Sequence, residues 1–155
     1  MTRRQLREGD RAPDFTLRAH TGSDWSLKSA LERGPVVLFF YPKDDTPVCI
    51  AEACNFRDQH ALFTGRGAEV VGVSRDSVES HQSFAGRYDL PFTLLTDADG
   101  AVREAFGVKK TLGFFDGRVT FVIDGEGVIR HAFSSALNAS AHVDGAIQTL
   151  ARLSR

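Results

Sequence analysis

The chain has only two cysteines among its 155 residues, no long hydrophobic run, and no excess of charge of either sign. Nineteen Lys and Arg face 20 Asp and Glu, a net charge of −1. The basic surplus of a dedicated nucleic-acid binder is therefore missing. So is the low hydrophobicity of a disordered chain, because 42% of the residues are apolar. The longest strongly apolar run is residues 36–41, far short of the ~20 residues that span a bilayer. Residues 1–8 are charged, but no apolar segment follows them. No secretory signal or membrane anchor is expected, and the expected location is cytoplasmic. Two cysteines are also too few for a small secreted disulfide scaffold. The length fits about one domain, so residues 1–155 read as a single domain. Such a domain buries roughly 68–70% of its unfolded surface and folds without a structural metal or disulfide. No repeat, linker or low-complexity tract interrupts it.

The hydrophobic pattern alternates between two periods. Phe15 and Leu17 alternate with polar neighbours as in a short strand. Residues 36–41, Val-Val-Leu-Phe-Phe-Tyr, read as a strand buried on both faces. Thr46-Pro47 is a helix start, with Thr as N-cap and Pro in the first helical position. That helix is expected to run to about Phe63, before Gly65 and Gly67. Residues 69–73 read as the next strand. Ser77 caps a helix ended by Leu90-Pro91, and residues 92–95 form a short strand. A turn at residues 97–100 precedes a short helix to Phe106. Residues 118–123 and 127–131 read as a hairpin, and residues 140–153 as an amphipathic closing helix. Strands alternating with helices imply an α/β domain around a central sheet.

With Thr46 as N-cap, Cys49 falls in the first helical turn. The N–H groups there have no intrahelical partner, and the helix dipole is positive. Both favour thiolate, the nucleophilic form. Cys54 follows five residues later, roughly 8–9 Å away between Cα atoms on an intact helix. A disulfide needs about 4.4–6.8 Å. Either the two never bridge, or the helix first unwinds. Cys54, beside Ile50 and Ala53, also reads as a small core hydrophobe. Zinc needs four ligands, and the five histidines (His20, His60, His81, His131, His142) show no spacing that pairs them with the cysteines.

Residues 42–49, Pro-Lys-Asp-Asp-Thr-Pro-Val-Cys, resemble the Pro-x-x-x-Thr-x-x-Cys motif of the peroxiredoxins. The Cys-x4-Cys spacing of Cys49 and Cys54 is similar to that of the peroxiredoxin Q group, also called bacterioferritin comigratory protein. Residues 71–77, Ser80-His81, residues 88–92 and residues 118–124 resemble the same group, so the likeness spans about residues 8–153. It implies a thioredoxin-like α/β fold, a central mixed β-sheet flanked by helices. It also implies a thiol peroxidase acting on hydrogen peroxide and organic hydroperoxides. By that match Cys49 is the peroxidatic cysteine and Cys54 the resolving one. Pro42, Thr46 and Arg118 complete the site, and the N–H groups of Val48 and Cys49 hold peroxide oxygens. A Cys49–Cys54 disulfide would be reduced by thioredoxin or a similar dithiol. No cofactor, metal, nucleic acid or membrane is expected, and the expected state is a monomer.

Read without the resemblance, Thr46 is needed as a cap in any case and Arg118 is a surface strand residue. Glu52 fits the group's pattern but also favours a helix start. His60 and His81 read as surface or packing residues, and Trp25 and the Phe114-Phe115 pair as core or loop packing. Two positions depart from the group: Val48 and Ile50 stand where Gly and Thr are usual. Placed beside the sulfur, their side chains would favour alkyl hydroperoxides over hydrogen peroxide. Two other functions fit parts of the pattern. A thioredoxin-like disulfide oxidoreductase would use a Cys-x-x-Cys spacing, and a holdase or binding module would not activate Cys49.

Overall fold

The computed structural model describes residues 4–110 and 116–153; Phe114 and Phe115 lie outside them. Among the described residues, seven strands form one mixed sheet. They are β1 (Thr16–Ala19), β2 (Asp24–Ser26), β3 (Val36–Phe40), β4 (Glu69–Ser74), β5 (Thr93–Thr96), β6 (Val119–Ile123) and β7 (Ile129–Ser134). Their order across the sheet is β2-β1-β5-β4-β3-β6-β7. β3 pairs in parallel with β4 and antiparallel with β6, which places it between the two halves.

Every residue of β3 is buried, as its unbroken apolar run requires. Its side chains alternate between the two faces of the sheet. Val36, Leu38 and Phe40 enter one core with Leu27, Phe106 and Phe121. Val37, Phe39 and Tyr41 enter the other with Cys49, Phe56, Phe84 and Leu150. Gly72 on β4 is needed for this packing. A Cβ there would lie 2.7 Å from the Phe39 ring and 2.9 Å from Leu94.

Six helices among the described residues cover the two faces: α1 (Leu27–Leu31), α2 (Pro47–Asp58), α3 (His60–Thr64), α4 (Val78–Arg87), α5 (Ala101–Ala105) and α6 (Ala139–Leu153). Among the described residues, no helix is long and apolar enough to cross a membrane. Ser77 caps α4 by accepting from the Ser80 N–H. The helix then ends at Tyr88 and Asp89, the latter at φ 51, before Leu90-Pro91 is reached.

Three features differ from the sequence reading. The expected single helix to Phe63 is broken at Gln59 into α2 and α3. Phe56 and Phe63, about 10 Å apart along the axis of an unbroken helix, instead meet with ring centroids 5.5 Å apart. The kink lets both rings bury against the sheet. Secondly, the polar first segment holds an antiparallel hairpin, β1–β2, and the short helix α1. Trp25 carries it, packing on Phe15 and donating to Glu69 Oε2. Thirdly, Thr46 occupies the N-cap position of α2 but makes no side-chain cap bond. Its hydroxyl turns back to donate to Lys43 O at 2.8 Å.

Candidate active site

β3 delivers the chain to the loop Tyr41–Thr46, and α2 starts at Pro47. Proline has no N–H to lose there. The i→i−4 ladder begins with Ile50, whose N–H donates to Thr46 O. The N–H groups of Val48 and Cys49 therefore have no intrahelical acceptor. Cys49 sits on that first turn with only 1% of its surface exposed.

Arg118 immediately precedes β6, next to β3 in the sheet. It is buried, contrary to its bland reading as a surface residue, and three acceptors fix its guanidinium. Nη2 lies 3.0 Å from Cys49 Sγ. Nη1 donates to Glu52 Oε1 at 2.6 Å, and Nε to Ala136 O at 3.2 Å. Burial works against its charge, but Glu52 and Cys49 outweigh burial and raise its pKa above the ordinary value.

Glu52, one turn beyond Cys49, is completely buried. Burial pushes its pKa up to about 7, although Arg118 pulls the other way. Its second oxygen, Oε2, has no hydrogen-bond partner among the described residues. His142 Nδ1 on α6 is 3.6 Å away, but Thr120 Oγ1 holds that nitrogen at 2.8 Å. His142 Nε2 faces the Ser135 carbonyl at 2.8 Å, which requires a proton on Nε2. Burial is the main force lowering the His142 pKa to about 4. At neutral pH the ring is uncharged, and Nδ1 accepts the Thr120 hydroxyl.

Over the sulfur end of this cluster opens a cleft of about 370 Å³. Pro42, Thr46, Pro47, Val48, Asp116, Arg118, Ala136 and Leu137 line it, so it is largely apolar, with Arg118 and Asp116 as its charged residues. Leu137 is 80% exposed. Thr46, having donated its proton to Lys43 O, presents only acceptor lone pairs. Ile50 does not line the cleft; it packs against the core around Phe39 and Phe56. Only one of the two departing side chains, Val48, is therefore beside the reactive end. Cys54 is half-buried on an intact α2, and both thiols are free.

The structure thus brings Pro42, Thr46, Val48, Cys49 and Arg118 together and leaves Cys54 on the same helix, apart from them. The sequence reading has Glu52 either fitting the group's pattern or favouring a helix start, gives His142 no role beyond one of five scattered histidines, and does not single out Arg103. Buried Arg103 on α5 donates to Tyr41 O and Gly117 O, both at 2.7 Å. It ties the residue before Pro42 to the residue before Arg118. Nothing in the pattern of residues 97–106, which reads as a turn and a short amphipathic helix, marks an arginine that points inward.

A buried thiol held by an arginine, at a helix start on a thioredoxin-like sheet, is the arrangement of a thiol-dependent peroxidase. Residues 8–132 match the AhpC/TSA family, and the chain belongs to that family, within its peroxiredoxin Q group. Peroxiredoxin Q, chloroplastic, of Sedum lineare is 43% identical over 150 residues, which is 96% of this chain and 80% of that protein. The Arabidopsis thaliana protein of the same name is 42% identical, over 94% of this chain and 68% of its own length. Among solved structures, peroxidoxin BcpB of Mycobacterium tuberculosis superposes with a TM-score of 0.90 at 41% identity, covering 96% of this chain and 99% of that one. The bacterioferritin comigratory protein of Xanthomonas campestris gives 0.83 at 31% identity, over 91% and 92% of the two chains.

Proposed function

We propose that Cys49 is the peroxidatic cysteine and Cys54 the resolving one. The contact of Arg118 Nη2 with Cys49 Sγ at 3.0 Å carries this reading. Cys49 thiolate attacks the terminal oxygen of ROOH. The O–O bond breaks, the sulfur becomes a sulfenic acid, and RO⁻ leaves to collect a proton. Arg118 and the N–H groups of Val48 and Cys49 face the developing negative charge, as an oxyanion hole does. Thr46 accepts the hydrogen of the peroxide, and Pro42 excludes water. Glu52 shares Arg118 with the sulfur. Below about pH 7 its carboxyl is protonated, and the guanidinium charge then falls on sulfur alone.

The sulfenic acid next condenses with the Cys54 thiol, releasing water and forming a disulfide. This requires the first turns of α2 to unwind, since an intact helix keeps the two Cα atoms beyond disulfide reach. A thioredoxin-type dithiol returns the pair to thiols by exchange. We place this cycle in a monomer in the cytoplasm, where a reducing milieu maintains both free thiols.

The cleft favours organic hydroperoxides, because an alkyl group can cover Pro42, Val48 and Leu137 while hydrogen peroxide covers none. The Xanthomonas campestris relative is described by its alkyl peroxide reduction activity. The test is peroxide consumption coupled to thioredoxin, thioredoxin reductase and NADPH, with both peroxide types. Turnover by the wild type and none by Cys49→Ser supports the reading; residual turnover by Cys49→Ser at the wild-type rate refutes it.

A further inference from the structure

Asp44 stands five residues before Cys49 and is buried. Three stretches that the sequence sets apart meet on it. Tyr41 Oη donates to its Oδ1 at 2.6 Å. Ser80 Oγ donates to its Oδ2 at 2.9 Å, and His81 Nδ1 lies 2.7 Å from the same oxygen. The Asp44 N–H donates to Asp76 Oδ2 at 2.8 Å, which also receives the Ser74 hydroxyl at 2.6 Å. His81 is fully buried, and its Nε2 faces the Leu95 carbonyl at 3.0 Å. A carbonyl only accepts, so Nε2 donates to it, and Nδ1 on the other side of the ring faces Asp44 Oδ2. Both Asp44 oxygens are occupied by protein donors, which anchors this point of the loop to β4, α4 and β5.

Immediately after Asp44 the character of the chain changes. Asp45 has φ 61, a left-handed conformation unfavourable for a residue with a Cβ. Among the described residues, only an exposed contact from Arg87 holds its side chain. Thr46 then leaves α2 without a side-chain cap, and uncapped first turns open most readily. The saturated cluster therefore ends at Asp44, and the uncapped turn at residues 45–48 lies between it and the contacts of Arg118 with Cys49 and Glu52.

We propose that the Asp44–His81 pair is a latch that fixes the upstream end of the segment which unwinds during turnover, so that it sets how fast oxidised Cys49 reaches Cys54. Both residues are positioning residues; neither touches the peroxide. The latch rests on the reading that Cys54 resolves Cys49. Loosening it lowers the population of the closed site, which slows attack on peroxide. It also raises the population of the open site, which speeds disulfide formation. The two steps move in opposite directions, which a general loss of stability does not produce.

The experiment is rapid-quench mass analysis of the full chain, wild type against Asp44→Asn, His81→Gln and the milder Ser80→Ala. Ser80→Ala removes one donor and leaves no unpaired charge, so it reports even if the others fold poorly. The expected result is oxidation of Cys49 slowed several-fold and disulfide formation accelerated several-fold. Hydrogen exchange should quicken for amides 45–53 and stay unchanged for β3, and less sulfinic acid should form at high peroxide. Unchanged disulfide formation and unchanged exchange in all three variants, with a wild type that does form the disulfide, overturn the latch alone. A wild type that forms no Cys49–Cys54 disulfide overturns the resolving role of Cys54 and the latch with it.

Discussion

Arg118 binds three acceptors, yet its partner Glu52 keeps one buried oxygen without a hydrogen bond among the described residues. Asp44, at the other end of the Cys49 loop, has donors on both of its oxygens. The first cluster has charge to spare and a carboxyl whose pKa is pushed to about 7; the second is saturated. Burying an unsatisfied polar group is costly, and a protein that accepts the cost at one cluster and avoids it at another has separated two tasks. Glu52 takes only Nη1 of Arg118 and leaves Nη2 to the sulfur, and complete pairing holds the loop that presents the sulfur.

The comparison breaks most visibly at Arg118. Arg118→Ala is expected to lose on the order of 10²–10³ in the rate of Cys49 oxidation, as when an oxyanion-hole donor is removed. Stopped-flow measurement with the reduced protein checks this, and an unchanged rate removes Arg118 from the chemistry. Cys54→Ser should oxidise at the wild-type rate in the first turnover but fall at least ~10-fold in steady-state cycling with thioredoxin. It would stall as a sulfenic acid trappable by dimedone.

Leu137→Ala sharpens the reading of the cleft. Losing about 1 kcal/mol of apolar contact predicts roughly a five-fold drop in kcat/KM for a bulky alkyl hydroperoxide, with hydrogen peroxide unaffected. Equal effects on both substrates would deny the cleft any part in selection.

Glu52→Gln acts on the pH dependence of stability. The raised pKa of Glu52 stabilises the fold at low pH, a contribution lost as pH rises from about 4.5 through 7. The depressed pKa of His142 works the opposite way. Its contribution is present above about 6.5 and lost as pH falls towards 4. The two oppose each other between about pH 6.5 and 4.5. Glu52→Gln deletes the first and leaves the second, so denaturation midpoints should decline more steeply with acidification, by up to ~1.4 kcal/mol per pH unit. A profile parallel to the wild type would show that the pKa of Glu52 is not raised in the fold.

Much of this was legible in the sequence because the signals are local. The apolar run of β3, the Ser77 cap, the β6–β7 hairpin and Cys49 in the first helical turn each follow from neighbouring residues. What escaped depends on distant partners. The break at Gln59 has no proline or glycine and comes from packing Phe56 on Phe63. The Thr46 hydroxyl had two local acceptor and donor choices, and the backbone of the Lys43 turn took it. Ile50 and Val48 look equivalent in the sequence, but helical rotation sends one to the core and the other to the cleft. The inward turn of Arg103 to Tyr41, 62 positions away, and the meeting of Glu52 with His142 join segments that are distant in the sequence.

Intact mass of the reduced protein after one equivalent of hydrogen peroxide, followed against free cysteine, tests the central claim most directly. The account predicts rapid loss of two hydrogens in the wild type and gain of one oxygen in Cys54→Ser. Oxidation of the wild type no faster than free cysteine would contradict it, because the Arg118 contact would then activate nothing.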